Sequence, residues 1–418
     1  MKKIYLAFTI ALLFLSCMNN EFSPKKSFKL DIGFKENEIG LIFNNESLTQ
    51  NNINIFYRSG FYYISDPRNK KILKITENGF NVLIIYNPSN NPHFKQTNSV
   101  SYDQDKNEND EIVYVKNYKE YPLILPGLIT VDIDKNIYVI DSLLTLSNTE
   151  NGFMQKSTIL KFDNKGNFLY NIGAEGGPVK SFGYISRIAT DNSNNLVVLE
   201  QNDENTYTVY KFSDKGALIK SFKIENSSAP LNSKEKESGF KADIMNIIPS
   251  FKENELFITV QYIKEGEENF AKVPSVTLKN FEALYEKIFK YSMKNEKYSK
   301  QILKINPKTY NISRTDKKSS LSDFFGDKTS ITKPMEHLYG SDDKDNIFLS
   351  QAELPTSDNK IFKRRYFIFN ENGNLKKEFV IKFPLNIQYA SDYYVSPAGK
   401  TYYFFVENGV VQVASFNY

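Results

Sequence analysis

The sequence predicts an all-β protein, folded as a six-bladed β-propeller of four-stranded antiparallel blades. Its 418 residues include 27 Tyr and 33 Phe, side chains that favour strands. Short apolar runs recur between turns rich in Asp, Asn and Gly, and this alternation indicates β-hairpins. Pairs of hairpins recur as six copies at spacings of roughly 55 to 90 residues, which is the pattern of a radial repeat.

The clearest copy lies between Ile129 and Gly173. It has a strand that begins at Ile129, a polar turn, a strand that ends at Asp141, a loop, and a second hairpin from Thr158 to Gly173. The second strand of each copy is the easiest to recognise. The six second strands are centred near Tyr63, Tyr138, Val198, Phe257, Phe348 and Tyr403.

Copies two and three carry a family resemblance. They contain an Asp-x-Asp-Lys-Asn turn from Asp132 to Asn136, a Tyr-Val-x-Asp strand end, and a Lys-Phe-Asp-x-x-Gly turn that begins at Lys161. These elements, between about Leu125 and Phe222, resemble NHL-type repeats. The resemblance implies blades arranged radially around a central channel.

The last copy lacks a fourth strand, because only residues 416–418 follow its third strand. The segment 28–34 alternates apolar and polar residues and is available to complete that blade. Pairing the two ends of the chain closes a strand edge that would otherwise stay open. We therefore expect one propeller domain over residues 28–418, with 28–34 as its closing strand.

The N-terminal segment predicts export. Lys2 and Lys3 precede an apolar run from Ile4 to Leu15, which is short for a bilayer span and typical of a signal peptide. Ser16-Cys17 follows and resembles the lipobox of bacterial lipoproteins, in the relaxed form found in spirochaetes and Bacteroidetes. An ordinary signal peptide with an incidental cysteine is the alternative.

The lipobox resemblance implies residues 1–16 as a signal peptide, cleavage between Ser16 and Cys17, and acyl chains such as palmitate on Cys17. Residues 17–27 would be a lipidated tether. Several acyl chains on one cysteine anchor a protein stably. We expect the mature protein in the cell envelope, at the outer membrane, with the membrane as its first partner.

Several kinds of chemistry are excluded by composition. Cys17 is the only cysteine, and His93 and His337 are the only histidines, which excludes disulfides, zinc fingers, iron–sulfur clusters and Cys/His nucleophile pairs. No Gly-x-Ser-x-Gly, His-Glu-x-x-His, Walker or Rossmann motif occurs. The 53 basic and 49 acidic residues give no basic excess suited to nucleic acid. We expect no cofactor and no metal.

Two acidic turns resemble calcium loops in part. Asp132-x-Asp134-x-Asn136 and Asp343-x-Asp345 have the alternating oxygen ligands but lack the glycine and the distal glutamate. We expect structural turns. Six-bladed propellers also include calcium-dependent lactonases, so a calcium-dependent hydrolase is the enzymatic alternative.

The long connections are expected at one rim of the propeller, because turns between first and second strands and between third and fourth strands are all short. Long segments are favoured places for function, although tolerated insertion is the alternative. The predicted long connections are 87–124, 142–157, 225–243, 263–300, 314–336 and 351–361.

The largest insertion, 263–300 in blade four, predicts an amphipathic helix from Val276 to Met293. Its apolar spacing suits a lid on the propeller, a partner-docking helix or a membrane-surface helix. The candidate partner-binding residues on this helix are Leu278, Phe281, Tyr285 and Ile288.

The resulting functional prediction is a membrane-anchored, non-enzymatic scaffold with an envelope protein as its partner. The combination of a lipid anchor with a propeller resembles the propeller lipoprotein of the outer-membrane β-barrel assembly machinery. This resemblance implies a role in outer-membrane protein assembly. A glycan- or peptide-binding propeller is the alternative from the class of binding modules, because Tyr and Phe at the channel mouth could stack on a ligand.

Overall fold

A computed structural model of the chain places most of the residues that it describes in six large β-sheets. The described residues are 21–22, 25–41, 43–44, 47–48, 53–92, 94, 116–146, 153–174, 177, 179–203, 206–264, 285–305, 309–311, 330–332, 337–353, 363–383, 387–391 and 393–417. All structural statements below refer to these residues.

Blades two, three and four are regular four-stranded antiparallel sheets whose strands follow chain order from the inner to the outer edge. Blade two consists of Pro126–Val131, Ile137–Leu146, Phe153–Phe162 and Phe168–Ile172. Blade three consists of Tyr184–Thr190, Leu196–Gln201, Thr206–Phe212 and Leu218–Glu225. Blade four consists of Phe240–Pro249, Glu255–Lys264, Tyr285–Ser292 and Lys297–Ile305.

The other three blades have the same core with additions. Blade one consists of Asn54–Arg58, Phe61–Asp66, Lys71–Thr76 and Asn81–Tyr86, and Asn117–Glu120 adds in parallel at its outer edge. Blade five consists of His337–Ser341, Ile347–Glu353, Lys363–Phe369 and Leu375–Lys382, with Glu21–Phe22 outermost. Blade six consists of Ile387–Ala390 and Tyr394–Val395 as a divided inner strand, then Thr401–Glu407, Val410–Phe416 and Lys25–Ile32, with Glu38–Ile39 outermost.

Short elements complete the described fold. Two-stranded hairpins form from Phe43–Asn44 with Ser47–Leu48 and from Thr309–Asn311 with Ser330–Thr332. A 3₁₀ turn, Asn226–Ser228, and a short α-helix, Ser233–Glu237, lie between blades three and four. Within these residues, no helix combines the length and apolar character needed to cross a bilayer.

The six inner strands contact one another in order and close into a ring, with blade six against blade one. The closure depends on the N-terminal strand Lys25–Ile32, which pairs antiparallel with Val410–Phe416. This pairing is the one expected for the closing strand, although the strand begins at Lys25 rather than at residue 28. The fold is therefore the predicted six-bladed propeller.

The core consists of six buried apolar clusters, each between two consecutive blades. Burial of both faces of every sheet explains why the second strands are apolar almost throughout. The residues predicted as their centres are all at most 1% exposed: Tyr63, Tyr138, Val198, Phe257, Phe348 and Tyr403.

The predicted helix in blade four is wrong where the structure describes it. Residues Tyr285–Ser292 form the third strand of blade four, and Lys297–Ile305, which had the sequence pattern of a third strand, is the fourth. The strand is buried on both faces, so apolar and polar residues do not alternate along it. The connection between the second and third strands therefore covers 265–284, a shorter segment than the predicted insertion 263–300.

Part of the segment predicted as a tether lies in β-sheets. Glu21–Phe22 and Lys25–Ser27 fall within 17–27, yet they belong to the sheets of blades five and six. Strand pairing satisfies the backbone groups of these residues, which a free tether would leave to water. The predicted loop 142–157 is likewise mostly strand, since the two strands that flank it extend to Leu146 and from Phe153.

Candidate functional site: the axial channel and the rim of long connections

The propeller has two rims around its axis. The turns between first and second strands and between third and fourth strands form one, which we call the short-turn rim. The connections between second and third strands and between blades form the other, which we call the long-connection rim. The inner strands run between the two rims and line the axis.

Arg58 occupies the axis at the short-turn rim. It is the last residue of the inner strand of blade one, is 7% exposed, and donates from Nη1 to the Val131 carbonyl of blade two at 2.7 Å. The same nitrogen lies 3.3 Å from Thr190 Oγ1 of blade three. Burial lowers the pKa of Arg58, and the nearby carboxylates of Asp132, Asp134 and Asp343 oppose this shift. One guanidinium therefore connects three blades at this end of the channel.

The acidic turns at the short-turn rim have a structural role. The Asp132 carboxylate accepts the Asn136 backbone N–H at 2.8 Å and its side-chain amide at 2.8 Å. The Asp342 carboxylate accepts the same two groups of Asn346 at 2.9 and 2.6 Å. Burial raises the pKa of Asp132, against these hydrogen bonds. The carboxylates thus serve as acceptors for their own turns, as expected for structural turns.

Buried acids at the long-connection rim hold the chain where it enters a blade. Asp141 accepts the backbone N–H groups of Ile124 at 3.0 Å and Leu125 at 2.7 Å. Glu200, at the matching place in blade three, accepts the Gly183 N–H at 2.6 Å. Burial raises the pKa of Asp141, although the two backbone hydrogen bonds favour its charged form. These carboxylates satisfy backbone donors at the entrances of blades two and three.

Lysines of the third strands join neighbouring blades. Lys161 Nζ donates to the Asp214 carbonyl of the next blade at 2.6 Å, and Lys211 Nζ lies 3.1 Å from both Asp191 of its own blade and Glu253 of the next. Lys290 Nζ lies 2.6 Å from Asp345 of the next blade. The cations therefore bridge the grooves between blades.

A buried acid also fixes the short helix between blades three and four. Asn232 and Glu235 form a capping box at the start of this helix. Tyr285 Oη donates to Glu235 Oε1 at 2.6 Å, and Lys287 Nζ lies 2.5 Å from the same oxygen. Burial opposes ionisation of Glu235, but hydrogen bonds from Lys287 and Tyr285 bring its pKa below the usual value. Within the described residues, no group of three or more His, Cys, Asp or Glu side chains could hold a metal ion.

Three exposed apolar side chains lie at the long-connection rim of blades two and three, and a fourth lies further along the inner strand of blade four. Ile124 and Leu143, both 46% exposed, belong to blade two, and Tyr184, 57% exposed, begins the inner strand of blade three. Met245, 49% exposed, lies at the bulge in the inner strand of blade four. We call these four residues the rim patch. The remaining exposed large apolar side chains lie elsewhere: Phe34, Phe80, Ile133, Phe168, Leu169, Ile219 and Leu375.

Polar side chains connect the inner strands beside the rim patch. Arg187 Nη2 donates to Asn246 Oδ1 at 3.4 Å, and Asn246 Nδ2 donates to the Leu338 carbonyl of blade five at 2.8 Å. Arg187 and Asn246 each directly follow a β-bulge in their inner strand. Bulges of this kind re-aim side chains, and here they place a polar link across three blades.

The structure separates the residues predicted for binding. Ser16, Cys17, Leu278 and Phe281 lie outside the described residues, as does His93. Tyr285 and Ile288 are 9% and 0% exposed inside blade four, so they cannot present the face of an exposed helix. Their burial is a consequence of their place in a third strand, which packs between neighbouring blades.

The rim patch and the third-strand lysines had not been singled out from the sequence. The lysines could have been found, because Lys74-Ile-Thr, Lys161-Phe-Asp, Lys211-Phe-Ser and Lys290-Tyr-Ser repeat one pattern. The same pattern would have identified the true third strand of blade four. The rim patch has no such signal, since its members come from different positions in three repeats.

Comparison with known proteins gives a likeness in architecture. No family model matches the sequence, and no curated protein matches it. A Bacteroides fragilis protein described as exported is 10% identical over 95% of this chain and 98% of its own, with a TM-score of 0.39. A Bacteroides caccae protein of unknown function is 8% identical over 80% and 89%, with a TM-score of 0.34.

An ulvan lyase of polysaccharide lyase family 25 is 6% identical over 87% of this chain and 93% of its own, with a TM-score of 0.39. Identities and TM-scores at this level carry no argument about activity or ligand. The function must therefore be argued from the residues of this chain.

Proposed function

We propose that the chain is an exported, lipid-anchored propeller that binds an envelope protein and catalyses no reaction. The anchor is supported by the N-terminal sequence, in which an apolar run from Ile4 to Leu15 ends at Ser16-Cys17 and Cys17 is the single cysteine. A lipidated cysteine would hold the propeller at a membrane as an interaction scaffold. The resemblance to the propeller lipoprotein of the outer-membrane β-barrel assembly machinery suggests a role in outer-membrane protein assembly.

The rim patch is the observation that carries the binding proposal. Ile124, Leu143, Tyr184 and Met245 are each at least 46% exposed and lie on consecutive blades. Apolar side chains grouped in this way gain free energy when a partner covers them, by about 25 cal/mol for each Å² removed from water. Arg187 and Asn246 lie next to the patch and offer polar contacts around it.

The buried carboxylates support a structural rather than catalytic use of the repeats. Asp132 and Asp342 accept N–H groups of their own turns, and Asp141 and Glu200 accept N–H groups at blade entrances. Each acid therefore has a partner that the fold requires. A scaffold needs such rigid blades, because a pre-formed surface loses little entropy on binding.

Site-specific photocrosslinking in intact cells tests the binding surface. A photoreactive residue at Tyr184 or at Met245 is expected to give the same adduct, since both belong to the rim patch. Ile219 is the matched control, because it is 54% exposed on the outer strand of blade three. Loss of the adduct in a chain with Ile124→Asp and Leu143→Asp would support the patch. Equal labelling from Tyr184 and Ile219 would contradict it.

The anchor is tested separately by membrane fractionation and acyl labelling. We expect the wild type to incorporate labelled palmitate and to sediment with membranes. A Cys17→Ala variant should incorporate none and be released in soluble form. Membrane association that survives this substitution unchanged would contradict a lipid anchor.

A glycan or peptide ligand is the second candidate for the same rim. Tyr184 is exposed at the start of an inner strand and Arg187 follows three residues later, so an aromatic face and a cation lie on one strand beside the axis. Soluble oligosaccharides or peptides that compete with crosslinking at Tyr184 would favour this candidate over a protein partner.

A further inference from the structure

The chain enters the propeller at the outer opening between blades five and six. Glu21 and Phe22 pair in parallel with Val380 and Ile381 on the outer strand of blade five. Three residues later the chain forms the outer strand of blade six, which begins at Lys25. Cys17 is four residues before Glu21, so even a fully extended chain keeps it within about 14 Å of this edge.

Exposed lysines point into the same opening from both sides. Phe28 and Leu30 pack towards blade one, so Lys29, which alternates with them, faces blade five. Phe379 and Ile381 pack towards blade six, and Lys377 lies on their face of the strand. Both lysines are exposed on the outer strands that form the opening.

The surrounding charge is mostly positive. Lys25 on the outer strand of blade six is exposed as well, and Asp31 is an exposed acid on the same strand. On the outer strand of blade five, Glu378 is paired with Arg365 at 2.7 Å, and Lys376 donates to Asn346 Oδ1 of its own blade at 3.3 Å. The chain as a whole is nearly balanced, with 53 basic and 49 acidic residues. The exposed lysines of these two strands lie where the N-terminal segment leaves the propeller. We call Lys25, Lys29 and Lys377 the basic edge.

We propose that the basic edge rests on an anionic lipid surface, so that the propeller stands on the membrane with its axis roughly parallel to the bilayer. This inference rests on the proposed lipid anchor at Cys17. The short reach from Cys17 to the edge brings the lysines to the headgroups. Each lysine near an anionic surface contributes about a fivefold factor to the docking equilibrium, and lysines act together with an acyl chain.

The orientation has a consequence for partner binding. With the outer edge of blades five and six on the bilayer, both rims face the aqueous phase. The rim patch lies on blades two to four, away from the docked edge. A membrane-bound propeller would therefore keep the rim patch accessible to a partner beside it.

Amine labelling of the lipidated protein in vesicles tests the docking. The full chain, expressed and processed in a bacterial host, is reconstituted into phosphatidylcholine vesicles with or without phosphatidylglycerol, and lysine modification is mapped by mass spectrometry. Lys29 and Lys377 should be labelled several-fold more slowly in the vesicles that contain phosphatidylglycerol than in those of phosphatidylcholine only. High salt should remove the protection, because the Debye length falls from about 10 Å at 0.1 M to about 3 Å at 1 M.

Charge reversal provides the matched comparison. A Lys29→Glu, Lys377→Glu chain should float with the vesicles as well as the wild type but lose protection of Lys25. The control chain carries Lys215→Glu and Lys223→Glu, two exposed lysines on blade three at the opposite side of the ring, and should keep that protection. Circular dichroism verifies that both chains are folded.

The outcomes separate the anchor from the docking. A wild-type chain that floats with vesicles but labels Lys29 as fast as Lys223 overturns the docking and leaves the anchor standing. A chain that does not float overturns both. Protection of Lys29 in cells but not in anionic vesicles would assign the basic edge to an acidic protein and overturn its assignment to lipid.

Discussion

At the scale of single residues, equivalent lysines in the third strands have different surroundings. Lys211 is 3% exposed and forms ion pairs with Asp191 and Glu253, each at 3.1 Å. Lys74, at the same position in blade one, is 8% exposed and donates to the Asn164 carbonyl at 3.2 Å. Its Nζ lies 4.7 Å from the centre of the Phe61 ring. The repeat thus offers two buried lysines for direct comparison.

Replacement of the ion-paired lysine should destabilise the protein. Lys211→Met removes the cation and leaves the Asp191 carboxylate, which is 1% exposed, buried without its 3.1 Å partner. Breaking a buried pair in this way lowers the free energy of unfolding by about 3 kcal/mol. Urea unfolding measures the loss. Lys215→Met, in the exposed turn of the same blade, is the control and should change stability by less than about 0.5 kcal/mol.

Replacement of the other lysine should change the pH dependence of stability. Burial lowers the pKa of Lys74 from 10.5 to about 8. Between these values the unfolded chain binds the proton that the folded chain has released, so the free energy of unfolding rises with pH. We expect Lys74→Met to remove a rise of roughly 2 kcal/mol between pH 8 and 10 and to be neutral or stabilising at pH 7.

Unfolding in urea at several pH values measures this effect as the difference between variant and wild type, so that other titrating groups cancel. Lys165→Met, at an exposed position in a turn of blade two, is the comparison and should change stability by less than about 0.5 kcal/mol. A loss of stability with Lys74→Met as large as that with Lys211→Met would contradict the difference in surroundings.

At the scale of elements, the turns between first and second strands share one strained position. The residue just before the one whose carbonyl closes the turn has a positive φ in blades two to five: Lys135 66°, Asn194 62°, Asn254 63° and Asp345 58°. Asn and Asp tolerate this conformation better than other residues with a side chain, whereas Lys135 does not share that advantage. The strain is therefore largest in blade two.

Lys135→Gly should stabilise the protein. Glycine removes a conformational penalty of about 1 to 2 kcal/mol from the folded state. It also gives the unfolded chain more conformational entropy, which costs about 0.5 to 1 kcal/mol of stability. The net gain in the free energy of unfolding is roughly 0.5 kcal/mol. Thermal unfolding measures the change. Lys165→Gly, at a turn position without positive φ, has no strain to relieve and should lose stability. A lower melting temperature for Lys135→Gly would show that side-chain contacts of Lys135 outweigh the strain.

The third strand of blade four shows where a local pattern misleads. Tyr285, Ile288 and Phe289 have helical spacing in the sequence, yet they lie in one extended strand. Glu286 and Lys287 are 3% and 7% exposed, so polar residues occupy buried positions. For Lys287 the charge is paired with Glu235, which comes from a different element. Periodicity cannot reveal a strand whose polar side chains find partners outside it.

At the scale of the whole molecule, stability depends on joining the two ends of the chain. Lys25–Ile32 is the outer strand of blade six, and its Phe28 and Leu30 pack with residues of blade one. The ring therefore has one closure, and the closing strand contributes to two blades. Removal of either end should open the ring.

Leu30→Ala tests this closure in a chain that still folds. Leu30 is 4% exposed, and removal of its side chain should lower the free energy of unfolding by about 3 kcal/mol. Leu375→Ala, on the outer strand of blade five and 51% exposed, is the control and should change stability by less than about 0.5 kcal/mol. Hydrogen exchange in the Leu30→Ala chain should increase at Val411 and Val413 together with blade one. Equal effects of the two substitutions would contradict a stabilising closure.

The sequence by itself determined the fold class, the number of blades and the centres of all six second strands. It could do so because each second strand is buried on both faces and becomes a short apolar run between polar turns, a signal that depends on local residues only. The pairing of the segment near Phe28 with the last strand followed from counting strands, since one blade was incomplete.

Only the tertiary structure decided which residues of different blades meet. Arg58 contacts Val131 and Thr190, Lys211 meets Glu253, and the chain before Lys25 crosses from blade five to blade six. The rim patch likewise combines side chains of three blades. These contacts depend on how blades pack around the axis, and no local pattern records the partners that a closed ring brings together.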